Sequence, residues 1–273
     1  MVGGEGGGGG GAAELTASLR EAYDAAAPAW AHGAQRVYRP LAEALVDLAD
    51  VSGRRVLDLG AGTGVAGRAA LAAGARSVVA ADVAVGMLRC CEPSLHPVAA
   101  DALRLPFRDR GFDLVVAAFC LGHLPSLAGG LREARRVGAA IAASSFAPGW
   151  SDPAKVAVEA ALRPFGYRPP AWYLRFKQDT EPAAGDPATL AAALAAAGFA
   201  AVRTRPVTVR TGVSQPAERA AWRLGMAHVA PFMSALAASD PVAARACRRA
   251  AEQAVAVSAA GPLTVSLLVT TAN

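Results

Sequence analysis

The chain has 273 residues, 53% of them hydrophobic and only 18% charged, with 28 glycines, 18 prolines and a formal net charge of +5. At roughly 100–200 residues per domain this length holds one large domain or two small ones, and the composition excludes a disordered, collagen-like or disulfide-stapled chain. Alanine fills 69 positions and arginine 25 of the 27 basic ones, Lys155 and Lys177 being the only lysines; scattered arginines of this kind read as the coding bias of GC-rich DNA, and no nucleic-acid partner is expected.

Residues 1–13 are expected to be a disordered glycine-rich tail, because a glycine run buries nothing and costs the most entropy to order. Residues 14–273 are expected to form a single domain. Over 14–50, Leu15, Leu19, Ala22 and Tyr23 recur at helical spacing, and a second run after Pro40 carries Leu41, Ala44, Leu45 and Leu48, so two helices precede the first strand. Over 51–145 short apolar strands alternate with helices: strand 54–59, helix 65–73, strand 77–81, helix 83–90, strand 97–100, strand 112–119, helix 127–137 and strand 139–145. A helix over 186–197, a strand over 201–210, helices over 216–258 and a strand over 263–270 complete the pattern. This texture predicts an α/β fold with a doubly wound, mostly parallel sheet covered on both faces. The segments 146–185 and 211–260 interrupt the alternation at carboxyl ends of strands, the edge where such sheets hold ligands, and are read as lid insertions.

Cys90, Cys91, Cys120 and Cys247 form no Cys-x-x-Cys pair and the four histidines lack metal-ligand spacing, so no metal is expected and a reducing, cytoplasmic setting is. No run reaches the ~18 apolar residues of a membrane span, and no basic segment followed by an apolar one opens the chain. A monomer or homodimer with no membrane partner is expected.

The chemistry begins at Val56-Leu57-Asp58-Leu59-Gly60-Ala61-Gly62-Thr63-Gly64, a strand running into a glycine turn and a helix, which brings bare backbone N–H groups against a ligand. Gly62, Gly64 and Gly67 also satisfy a dinucleotide pattern. However, Asp58 sits inside the strand, where a carboxylate would repel a pyrophosphate and suit an ammonium. Acidic residues end the next two strands as well: Asp82 can accept both hydroxyls of a ribose, and Asp101 an adenine amino group.

The segments VLDLGAGTG (56–64), VVAADVAVGML (78–88), DALRLPF (101–107), FDLVVAAFCLGHLP (112–125) and LREARRV (131–137) closely resemble the class I S-adenosylmethionine-dependent methyltransferases over roughly residues 15 to 145. The resemblance implies a seven-stranded Rossmann-like sheet with its last strand antiparallel, 51–145 as the cofactor-binding half and 14–50 as a helical lid. It implies that Asp58, Gly60, Ala61, Gly62 and Gly64 hold the methionine part of the cofactor, Asp82 its ribose, Met87 the adenine face, and Asp101 with Ala102 the adenine edge. Tyr23, Val83 and Phe119 are counted as further cofactor contacts.

Phe119-Cys120-Leu121-Gly122-His123-Leu124-Pro125 lacks the motifs of nucleic-acid methyltransferases and is similar to the small-molecule branch that acts on quinones and natural products, as is Tyr23-Asp24 followed by Trp30. His123 is the candidate general base, its alternative being a histidine bonded to backbone under the loop. Trp30, Phe146, Trp150, Trp222 and Met226 are candidate contacts to a small apolar or aromatic methyl acceptor, methylated at O, N or C by in-line displacement with S-adenosylhomocysteine as product. A cofactor-binding protein that acts as a cyclase or as a non-catalytic regulatory partner stays open as the alternative.

Overall fold

Strand and helix alternate as expected in the computed structural model, which describes residues 8–259 and 261–273. The expected tail lies outside the described residues over 1–7, but from Gly8 the chain is already helical, so 8–13 depart from the expectation. An alanine-rich helix, once nucleated, extends into neighbouring residues at one hydrogen bond per residue. Helix α1 (Gly8–Ala29) passes through a π-turn (Trp30–Ala34) into α2 (Gln35–Val46).

Seven strands then form one sheet among the described residues: β1 (Arg55–Leu59), β2 (Ser77–Asp82), β3 (Val98–Ala99), β4 (Leu114–Ala118), β5 (Ile141–Phe146), β6 (Arg203–Arg210) and β7 (Thr264–Ala272). Their order is β3-β2-β1-β4-β5-β7-β6. The strands from β1 to β5 pair in parallel, whereas β7 runs antiparallel to both β5 and β6. Helices α3 (Val65–Ala72), α4 (Val85–Leu88), α5 (Leu127–Val137) and α9 (Pro187–Ala196) make the parallel connections and flank the sheet, with α6 (Pro153–Leu162), α7 (Ala171–Arg175) and α8 (Glu181–Gly185) lying between β5 and α9. Helices α10 (Pro216–Leu224), α11 (Ala230–Ser239) and α12 (Pro241–Ser258) separate β6 from β7.

Because β1 and β4 are covered on both faces, nearly all their residues are buried: the run of β4 is apolar throughout, and that of β1 is broken only by Asp58 and the leading Arg55. On one face Val56, Val78, Val116 and Ala142 pack with Val37, Leu41 and Leu45 of α2. On the other, Leu57, Val115 and Ile141 pack with Leu131 and Ala134 of α5 and Leu194 of α9. The two insertions share a third core: Val158, Leu162 and Tyr167 from the first meet Leu224, Met233, Cys247 and Val255 from the second. They therefore form one helical layer, seamed to α1 where Ala22 and Ala26 meet Ala227 and Ala230.

Several elements, β3 among them, are shorter than their sequence suggests, and two of these bear on the site. The helix expected over 83–90 is only Val85–Leu88, because the Asp82 carboxylate takes the Ala84 N–H and holds Ala84 extended. The strand expected to reach 119 stops at Ala118, since Phe119 turns into the left-handed region at φ 54° while its amide still bonds the Ser144 carbonyl. Both departures lie at the carboxyl edge of the sheet, and both shape the site.

Candidate active site

A cavity opens at the carboxyl ends of β1, β2, β4 and β5, beneath α1, the turn after β4 and the α7–α8 segment. Its floor is the turn after β1. Gly60 adopts φ 66°, and a Cβ there would collide with the Cys120 thiol, so neither conformation nor space admits a side chain. Gly60, Ala61 and Gly62 line the cavity, whereas Gly64 stands behind them at φ 77° as the residue that starts α3.

Asp58 is 1% exposed. Its Oδ2 accepts from the Gly67 N–H at 2.7 Å, while Oδ1 is buried with no partner among the described residues. Burial, opposed by the Gly67 N–H and aided by the Asp82 charge, pushes its carboxyl up to about 7. Asp82 spans two loops: Oδ2 accepts from the Gly62 N–H and Oδ1 from the Ala84 N–H, each at 2.8 Å. Burial raises its pKa against those donors. Met87 is buried with its methyl under Gly62, and Val83 lies beside it. Asp101 accepts from the Leu103 N–H at 2.8 Å, an Asx-type turn, and with Ala102 it rims the same cavity.

The opposite end is aromatic. Tyr38 stacks on Trp30 at 5.0 Å and meets Phe119 edge-on at 5.4 Å; Phe119 in turn lies 4.7 Å from Phe146. The Tyr23 hydroxyl sits 3.2 Å from Nε2 of His123, and the His123 ring stacks on Phe176 at 4.2 Å. His123 Nδ1 is buried without a partner among the described residues. Burial, with the nearby His228 and Lys177, lowers the His123 pKa to about 4, so the imidazole is neutral at pH 7.

The structure thus brings Tyr23, Trp30, Asp58, Gly60, Ala61, Gly62, Asp82, Val83, Met87, Asp101, Ala102, Phe119, His123, Phe146 and Met226 to one cavity. Trp150 and Trp222 do not line it. Trp150 stacks behind Phe146 at 4.9 Å and donates its indole N–H to the Thr264 carbonyl. Trp222 is fully buried in the packing between α10 and the π-turn. Both are aromatic residues consumed by the lid's own packing, which corrects the expectation that they touch an acceptor. Phe176, one of the aromatic residues of the first insertion, lines the cavity as well, and sequence reasoning missed Tyr38, Ser144 and Glu181, which also line it. Tyr38 carried only a helical-periodicity signal, and the others lie in no motif.

These residues fit the cofactor that the resemblance implies. An unpaired buried carboxylate oxygen on Asp58 suits an ammonium, the glycine turn leaves room for backbone-close contact, and Asp82 lines the same cavity. Among the described residues no group of three metal-ligating side chains occurs, and no helix is long and apolar enough to cross a membrane.

Residues 57–140 match the Methyltransferase domain family. Over 212 residues, 70% of this chain and 87% of the relative, the chain is 32% identical to the demethylmenaquinone methyltransferase of Thermobifida fusca. It is 40% identical over 116 residues to that of Corynebacterium urealyticum, a match covering 42% of this chain and about half (49%) of that relative's length. Among solved structures, a phosphoethanolamine N-methyltransferase of Haemonchus contortus in complex with S-adenosylhomocysteine shares the fold with a TM-score of 0.51 at 16% identity, over 85% of this chain and 52% of that one.

Proposed function

The chain belongs to the class I S-adenosylmethionine-dependent methyltransferases, and on that premise we propose that it methylates an O, N or C nucleophile of a small aromatic metabolite of quinone-like size and polarity. The observation that carries this reading is the box of Trp30, Tyr38, Phe119 and Phe146 beside the Tyr23–His123 pair, at the end of the cavity away from Asp101. The names of the curated relatives point the same way.

When bound, S-adenosylmethionine supplies an electrophilic methyl group on a cationic sulfur and leaves as S-adenosylhomocysteine. Asp58 would take its ammonium, the Gly60–Gly62 backbone its methionine part, Asp82 its ribose, Met87 its adenine face and Asp101 with Ala102 the adenine edge. The remaining work is orientation and exclusion of water, and alignment alone can supply about 7–11 kcal/mol. The aromatic box holds a flat acceptor in line, while α1 and the α6–α8 and α10–α12 layer close over it. In the tautomer whose Nε2–H donates to the Tyr23 oxygen, His123, held neutral by burial, keeps a free lone pair on Nδ1 that can take the proton the nucleophile loses.

Incubation with methyl-labelled cofactor and a panel of hydroxylated aromatic acceptors tests the proposal, with label expected in a product. Tight cofactor binding with no methylated product across the panel would favour a cyclase or a non-catalytic binding partner.

A further inference from the structure

Behind Phe146 the lid gathers more basic than acidic side chains. Asp152 is taken by Arg219 at 2.6 Å, both nearly inaccessible to solvent. Glu159 is shared by Arg223 and His228, each at 3.4 Å, and Glu181, on the cavity wall, pairs with Lys177. All three acids of this region thus have a basic partner, and Lys155 is left over. Its ammonium lies 4.7 Å from the ring centre of Phe146 and 4.3 Å from that of Trp150, with no carboxylate in ion-pair range among the described residues. Burial and the neighbouring Arg223 and Lys177 press its pKa down to about 8, against the weaker opposing pull of Glu181 and Asp152, which lie near it but outside ion-pair range.

Lys155 is half-buried, and a charge drawn partly out of water is ordinarily paired, because desolvation of a lone charge is costly. Two aromatic faces compensate an ammonium only in part. Lys155 is not itself in the cavity lining. It stands one ring away, on a flexible four-carbon stem whose three donors can be re-aimed. It is also one of two lysines in a chain that otherwise uses arginine.

We propose that the methyl acceptor carries an anionic oxygen, a carboxylate or an ionised ring hydroxyl, and that Lys155 pairs with it past the edge of Phe146. This rests on the methyl-transfer reading of the cavity and adds the charge of the substrate. Lys155 is then a specificity-determining residue that selects acidic aromatic acceptors over neutral ones.

The test uses the full chain loaded with S-adenosylhomocysteine and calorimetric titration with hydroxynaphthoate, its methyl ester and a hydroxynaphthoquinone. Wild-type protein is expected to bind at least one of the two acidic probes about tenfold or more tighter than the ester, roughly 1.4 kcal/mol. Preference for hydroxynaphthoate assigns a carboxylate, and preference for hydroxynaphthoquinone an ionised ring oxygen. Lys155→Met should abolish the preference and Lys155→Arg should keep most of it, with thermal unfolding of both variants confirming the fold. The proposal is overturned if the ester binds as tightly as both acids, if Lys155→Met retains the preference, or if none of the probes binds the loaded protein. Failure of S-adenosylhomocysteine to bind at all would instead strike the methyl-transfer reading, so the two failures are separable.

Discussion

The Tyr23 phenol and the His123 imidazole, 100 residues apart in the chain, meet at 3.2 Å with their ring planes at 83°. This contact ties α1 to the turn after β4 and makes the N-terminal helix part of the cavity wall. If His123 takes the nucleophile's proton, His123→Gln should lower turnover about 100-fold, the lower end of general-base effects. Tyr23→Phe should lower it less, and the cofactor dissociation constant, read by calorimetry, should stay within about twofold in His123→Gln. Full turnover in His123→Gln would remove the general-base role.

The same burial makes the protein acid-sensitive. His123 and His228 are both pressed down to about 4 from an ordinary value of 6.5, by burial first. Between those values the unfolded chain binds more protons than the folded one. Their contribution to stability is therefore present above about pH 6.5 and is lost as pH falls toward 4. Urea denaturation across this window should show stability falling with acid, and His123→Gln should flatten the slope.

Asp58 titrates in the opposite sense. Burial places its carboxyl near 7, so it is partly protonated at neutral pH. An ammonium placed against Oδ1 favours the ionised form, so cofactor binding should release protons and tighten as pH rises through about 7. Calorimetry in buffers of different ionisation enthalpy should detect the release. Asp58→Asn should abolish it and weaken binding.

Asp82 is the only carboxylate among the described residues that bonds both the glycine turn, through Gly62, and the start of the next helix, through Ala84. Hydrogen bonds to charged groups contribute about 1.5–3 kcal/mol each. Asp82→Ala should accordingly weaken cofactor binding by roughly 10–100-fold, beyond any loss of thermal stability. Binding equal to wild type would show that the loop is held by other contacts.

In the lid, Arg219 and Asp152 form an ion pair with side chains only 6% and 4% exposed, and Asp152 also caps α6 through the Ala154 N–H. Removing one partner of a buried pair strands the other charge. Asp152→Ala should cost about 3–5 kcal/mol in equilibrium unfolding, whereas the Asp152→Ala, Arg219→Met double variant should recover part of the loss.

What the amino-acid order determined by itself is the glycine-turn end of the cavity. Asp58, Gly60, Gly62 and Asp82 act through local geometry: a strand tip, a turn that only glycine can make, and a carboxylate two residues from the N–H it accepts. Such features are contained in a few consecutive residues, and the parallel register of β1 with β2 then aligns the strand tips. The aromatic end was decided by tertiary structure alone. Trp222 and Tyr38 carry the same signal, an aromatic residue on the apolar side of a helix, yet one is sealed in the packing of the lid and the other lines the cavity. Hydrophobic burial is non-directional: it requires that both rings leave water, but not which surface receives them. That choice depends on how elements far apart in the chain settle against one another, as the meeting of Tyr23 with His123 shows.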